Sequence, residues 1–137
     1  MLESAKTPKV LDSFAVLAFL NKEAGFEKVR TLLRTAEAGG ESLLMNEINV
    51  GEVFYIIAKA RSLEKAEDFL RRLGTLPITL VSNVFTDVLE AARVKAQFPL
   101  SYADAFAIST AMRSQAMVVT GDPEFHAVAH LVEILWL

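Results

Sequence analysis

The sequence predicts an α/β fold, a three-layer α/β/α sandwich around a central and mainly parallel sheet. Two observations carry this. Short apolar or β-branched runs alternate with segments of helical periodicity from one end of the chain to the other. The 137 residues are 53% hydrophobic, enough for one generous core, and no repeat, low-complexity tract or linker divides them. The expected organisation is a flexible tail over residues 1–8 and a single domain over 9–137.

The elements follow in order. Lys9 to Leu11 reads as a short buried strand and Ser13 to Leu20 as an apolar helix. Gly25 to Ala38 has helical spacing of Phe26, Val29, Leu32 and Leu33 and stops at Gly39-Gly40. Ser42 to Met45 is a second strand, and Asn46 caps a helix to about Arg61. Leu63 to Leu73 is amphipathic and ends at Gly74, and Pro77 to Val81 is a β-branched strand. Phe85 to Phe98 is helical until Pro99, and Ser101 opens a helix through Ser114. Met117 to Thr120 is a strand, Pro123 to His130 a short helix, and Val132 to Trp136 the closing strand.

The absence of cysteine removes disulfides, thiolate metal sites and a thiol nucleophile together. No apolar run reaches a membrane span, and the N-terminus lacks the features of a signal peptide, so a cytoplasmic protein is expected. There is no Gly-rich phosphate loop, dinucleotide fingerprint or nucleophile elbow.

Four acids stand out by isolation. Asp12 is the only charge from Val10 to Asn21, Glu52 from Ile48 to Ala58, Asp104 from Ala96 to Met112, and Asp122 from Ser114 to Pro123. An ionised carboxylate in apolar surroundings is costly without a counter-charge or several donors. Converging acids also repel one another and raise at least one pKa. A divalent cation relieves both problems, and Mg²⁺ or Mn²⁺ needs neither Cys nor His. Asp12 and Asp122 each follow a strand, and Asp104 opens a helix; ligands of parallel sheets sit at such strand ends. Each acid also has an ordinary explanation. Asp12 and Asp122 are N-cap types, and Asp104 follows Ser101 at capping-box spacing. Glu52, inside a nearly apolar helix, has no such excuse. Glu47 is its rival, but sits in the first turn on another face. Only the metal explains all four together.

The charge balance fits. Fourteen Lys and Arg face 17 Asp and Glu for a net charge of -3; without the four acids it is nearly neutral. The expectation is weak binding to any polyanion without metal. Asp12 and Asp104 are the expected direct ligands of one ion. Asp122 and Glu52 would bind a second ion or hold waters, and the metal would activate water for in-line attack on phosphorus. Ser13, Asn49 and Thr120 are placed to orient the acids.

The segments KVLDSFAVLAFL, NEINVGEVFYIIAKA, LSYADAFAISTAMRSQA and MVVTGDPEF, in this order and spacing, resemble the PIN-domain family and especially the VapC-type toxin ribonucleases. The resemblance runs from about Lys9 to the C-terminus. It implies a Mg²⁺- or Mn²⁺-dependent endoribonuclease that cleaves RNA, forms homodimers and is inhibited by a partner antitoxin. The alternative from another class is a catalytically silent PIN-like module that binds a protein partner. A metal-dependent phosphatase or flap-type nuclease is disfavoured by the missing DxD pair and the small size.

His126 and His130 share a helical face, but the Glu of a zinc-protease helix and a third ligand are missing. Lys59, Arg61, Lys65, Arg71 and Arg72 form the one basic cluster, a solvated face or a grip on the RNA backbone. Phe14, Phe19, Phe54, Phe106 and Trp136 are expected in the core.

Overall fold

The computed structural model describes residues 7–137, so most of the expected tail, residues 1–6, lies outside the described residues. At Pro8 the backbone already joins the sheet, its carbonyl accepting from the Met117 N–H at 3.0 Å.

Five strands, β1 (Lys9–Leu11), β2 (Leu43–Asn46), β3 (Ile78–Val81), β4 (Met117–Thr120) and β5 (Ile134–Trp136), form one sheet. Its order is β3-β2-β1-β4-β5 and all four pairings are parallel. The helices are α1 (Ser13–Leu20), α2 (Phe26–Glu37), α3 (Glu47–Ala60), α4 (Leu63–Leu73), α5 (Phe85–Gln97) and α6 (Tyr102–Ser114).

Alternation along the short strands builds two cores. Val10 and Val118, side by side in register, face α5 and α6 and pack with Ala91, Ile108 and Phe125. The next residues, Leu11 and Val119, face the other way and pack with Val16, Val29, Val53 and Phe69 of α1 to α4. Both faces are covered, which is why the strands read as continuous apolar runs.

Several bounds differ from expectation by one or two residues, β5 starting at Ile134 instead of Val132, and two of the differences carry meaning. β2 extends to Asn46, which pairs with Val81 and also caps α3 by accepting from the Ile48 N–H at 2.9 Å. The segment after Asp122 is a 3₁₀ helix, Pro123–Val128, instead of a helix to His130. Its two fully buried anchors, Phe125 and Val128, are three residues apart, the repeat of a 3₁₀ turn.

Phe19 and Phe106 are buried, and Phe54 and Trp136 half-buried. Phe14 is not in the core: 41% of it is exposed. The α1 sequence SFAVLAFL is apolar nearly all round, so its periodicity could not reveal the outward face. His126 stacks on Trp136 with centroids 4.3 Å apart, and His130 meets the Phe98 ring edge-on at 5.5 Å. Neither belongs to a group of metal-ligating side chains among the described residues.

Candidate active site

The strand order reverses between β1 and β4: the chain leaves β1 toward β2 on one side and β4 toward β5 on the other. The crevice at such a point, beyond the carboxyl ends of the strands, is where open parallel sheets take ligands. Asp12 follows β1 and Asp122 lies two residues past β4.

Asp12 caps α1, its Oδ1 accepting from the Ala15 N–H at 2.8 Å. Its Oδ2 accepts from the Thr120 hydroxyl at 2.5 Å across the crevice. The residue is only 1% exposed. Burial pushes its carboxyl up to about 7; the Thr120 and Ala15 bonds oppose this, and the charges of Asp104 and Asp122 add to it.

Asp104 stands in the first turn of α6, where its N–H donates to the Ser101 hydroxyl at 3.1 Å. Among the described residues the Ser101 N–H makes no return bond of a capping box, and the Asp104 carboxylate meets the Ser101 side chain at the crevice. Burial raises it to about 6; the Ser101 bond works against the shift, and Asp122, Glu52 and Glu124 reinforce it. Asp122 caps the 3₁₀ helix through the Glu124 N–H at 2.9 Å, and its own N–H donates to Thr120 at 3.0 Å. Thr120 therefore ties the two strand-end acids together.

Glu52 lies half-buried on α3, and its Oε1 accepts from the Ser13 hydroxyl at 2.5 Å. Asn49, one turn earlier and fully buried, makes no hydrogen bond to Glu52 among the described residues, but shares Ser13 with it, whose hydroxyl accepts from the Asn49 Nδ2 at 3.5 Å. Its Nδ2 donates to the Ala103 carbonyl at 3.0 Å, beside Asp104, and its Oδ1 has no hydrogen-bond partner. Asn46, Asn83 and Thr110 form a further polar cluster that fastens the start of α3 to α6, with bonds of 2.8 to 3.0 Å. Glu47 is exposed, as its first-turn position implies.

The four acids thus converge as neighbouring charges, but the tightest group is not the expected one. One carboxylate oxygen from each of Asp104, Asp122 and Glu124 lies within 4.8 Å of the others. Glu124 escapes a search for isolated charges because it follows Asp122 by two residues and reads as a solvated first-turn acid. Among the described residues, none of these five acids pairs with Lys, Arg or His. The donor set is all oxygen and strongly negative, suited to a hard divalent cation.

The basic cluster divides. Arg61, Lys65 and Arg72 line a groove of about 360 Å³ with Lys22, which follows α1 in a left-handed conformation (φ 53°). Arg72 lies 5.1 Å from the centre of the Phe19 ring. Arg71 is instead paired with Asp68, and Lys59 lies outside this groove.

Fold and crevice together define a doubly covered parallel-sheet domain with an acidic centre at its switch point. The sequence matches the PIN domain family over residues 9–131. The chain belongs to the PIN-domain family. No curated protein matches it. Among solved structures, VapBC2 of Rickettsia felis bound to a promoter DNA fragment aligns at 12% identity with a TM-score of 0.73, over 95% of this chain and 98% of that one. VapC20 of Mycobacterium tuberculosis, a sarcin-ricin-loop cleaving toxin, aligns at 14% and 0.70, over 88% and 94%. DNA-bound VapBC from Salmonella typhimurium aligns at 15% and 0.71, over 94% and 97%. At these identities the likeness establishes a shared fold.

Proposed function

We propose that the chain is a Mg²⁺- or Mn²⁺-dependent endoribonuclease, the toxin of a toxin-antitoxin pair working in the cytoplasm. The observation that carries this reading is the set of five neighbouring acids with no cationic partner among the described residues. An interaction module has no use for that arrangement, which strains the fold. Asp104, Asp122 and Glu124 would hold the ion, with Asp12 beside them, since each of its oxygens keeps a lone pair. When bound, the ion supplies activation of water and neutralises charge developing on the phosphoryl oxygens.

The chain's own groups do the positioning. Thr120 fixes Asp12, and Asn49 pins the backbone that opens α6 and so places Asp104. Ser13 holds Glu52 by Oε1, leaving Oε2 as the oxygen able to take a proton from attacking water. Lys22, Arg61, Lys65 and Arg72 would grip the RNA backbone. Their groove lies toward the far end of α1, about 12 Å from Asp12 for an eight-residue helix. Lys59 and Arg71 would contribute less, Arg71 being already paired. The family and the toxin complexes sharing this fold support a cognate antitoxin. Val84, Phe85 and Leu89, exposed at the start of α5, support burial against a second copy in a homodimer.

Cleavage of structured RNA and of DNA, with Mn²⁺ or with EDTA, tests the reading. Wild type should cut RNA only with the metal, and Asp104→Asn should not cut. Metal-independent cutting, or an unchanged variant, would refute it.

A further inference from the structure

We infer that Phe14 is a stacking platform for one unpaired nucleobase next to the scissile phosphate, an assignment that rests on the nuclease reading above. Its helix neighbours Ala15, Val16, Ala18 and Phe19 are buried, whereas the Phe14 ring stays open to solvent at the crevice. The ring is nevertheless held. A Cβ built on Gly121 would lie 2.4 Å from its Cε1, 2.9 Å from Cζ and 3.1 Å from Cδ1. Gly121 does not have a positive φ, so the absence of a side chain there serves space and not backbone freedom. The glycine is the seat of the ring.

Position gives the seat its meaning. Gly121 joins Thr120, which donates to Asp12, to Asp122. Ser13, the residue before Phe14, donates to Glu52. The ring therefore sits one residue from groups bonded to, or belonging to, three of the acids. In this negative field a phosphate is repelled unless a cation intervenes, but a nucleobase is neutral and offers a π-face. Stacking on an aromatic ring is how proteins hold bases that are splayed out of a helix, and it tolerates any base. Bases inside a duplex have both faces occupied. The substrate class this favours is an unpaired nucleotide in a loop, bulge or single strand.

Phe14→Leu keeps apolar bulk on Gly121 and removes the π-face; Phe14→Trp restores it. On a single-stranded RNA that the wild type cuts with Mn²⁺, Phe14→Leu should raise KM about tenfold, and Phe14→Trp should recover it. Because stacking holds ground and transition states alike, kcat should change little. A second arm moves an abasic nucleotide through the positions flanking the cut, on wild type and on Phe14→Leu. At one position it should impose the same loss on wild type and add nothing to Phe14→Leu. An unchanged KM in Phe14→Leu, or abasic penalties that add in full at every position, overturns the platform while the nuclease stands. A wild type that cuts no RNA with Mn²⁺ overturns the nuclease reading and the platform with it.

Discussion

Two buried acids at opposite ends of the same short strand are treated in opposite ways. At the start of β1, Glu41 is buried against Lys9, with Nζ and Oε1 3.1 Å apart and the two residues 8% and 7% exposed. Three residues along, just past the end of β1, Asp12 is buried more deeply and, among the described residues, receives only a hydroxyl and a backbone N–H. The fold can deliver a cation to a buried carboxylate and does so where the acid has only structure to serve. At the carboxyl end of the sheet it delivers more acids. Native charge strain of that kind persists at functional sites because the partner comes from outside the chain.

The largest effect that would sharpen this contrast lies at the structural end. Glu41→Ala leaves the Lys9 ammonium buried without its partner and should cost about 3–5 kcal/mol of folding stability. Urea denaturation measures this, and the folded fraction should cleave RNA as before. A loss below about 1 kcal/mol would erase the distinction between the two ends. Next, Thr120→Val removes a donor from Asp12 and should weaken Mn²⁺ binding by about 10–100-fold in a calorimetric titration. Unchanged affinity would mean that Asp12 takes no part in holding the ion.

The pH dependence of the metal-free protein is smaller. Asp12 and Asp104 hold protons up to about 7 and about 6 when folded, against an ordinary carboxyl value of 3.8 for each. Across that window the folded chain binds more protons than the unfolded one, so stability rises as the pH falls. The contribution is complete below about pH 4 and is lost as pH climbs through 6 to 7. Tm without metal should therefore be several degrees higher at pH 5 than at pH 8, and Asp104→Asn should flatten the curve. A curve rising toward pH 8 would contradict the strain. Smallest is the groove. Arg61→Ala and Arg72→Ala should each lower the slope of log affinity against log salt by about one, without changing metal affinity.

The strands were legible as short continuous apolar runs, since both Val10 and Leu11, or Val118 and Val119, are covered on their respective faces. Helices such as Phe26–Glu37 and Leu63–Leu73 were legible by their apolar spacing. Asp12, Glu52, Asp104 and Asp122 were legible because no other charge stands near them in the chain. Glu124 was hidden by its proximity to Asp122, since a search for lonely charges discards pairs. Lys22 was hidden because its partners in the groove come from α3, the α3–α4 turn and α4, a juxtaposition made by tertiary packing. Phe14 was misplaced for a third reason. A helix apolar on every side carries no record of which side the protein covers, and Gly121, which seats the ring, is more than a hundred residues away.

The central claim is that a cation from solution supplies the charge missing from the crevice. Crystals soaked in Mn²⁺ and measured at the manganese absorption edge test it directly. The account predicts an anomalous peak among the carboxylate oxygens of Asp104, Asp122 and Glu124. A saturating soak that leaves those oxygens without a peak, or with a lysine or arginine swung in among them, would contradict it.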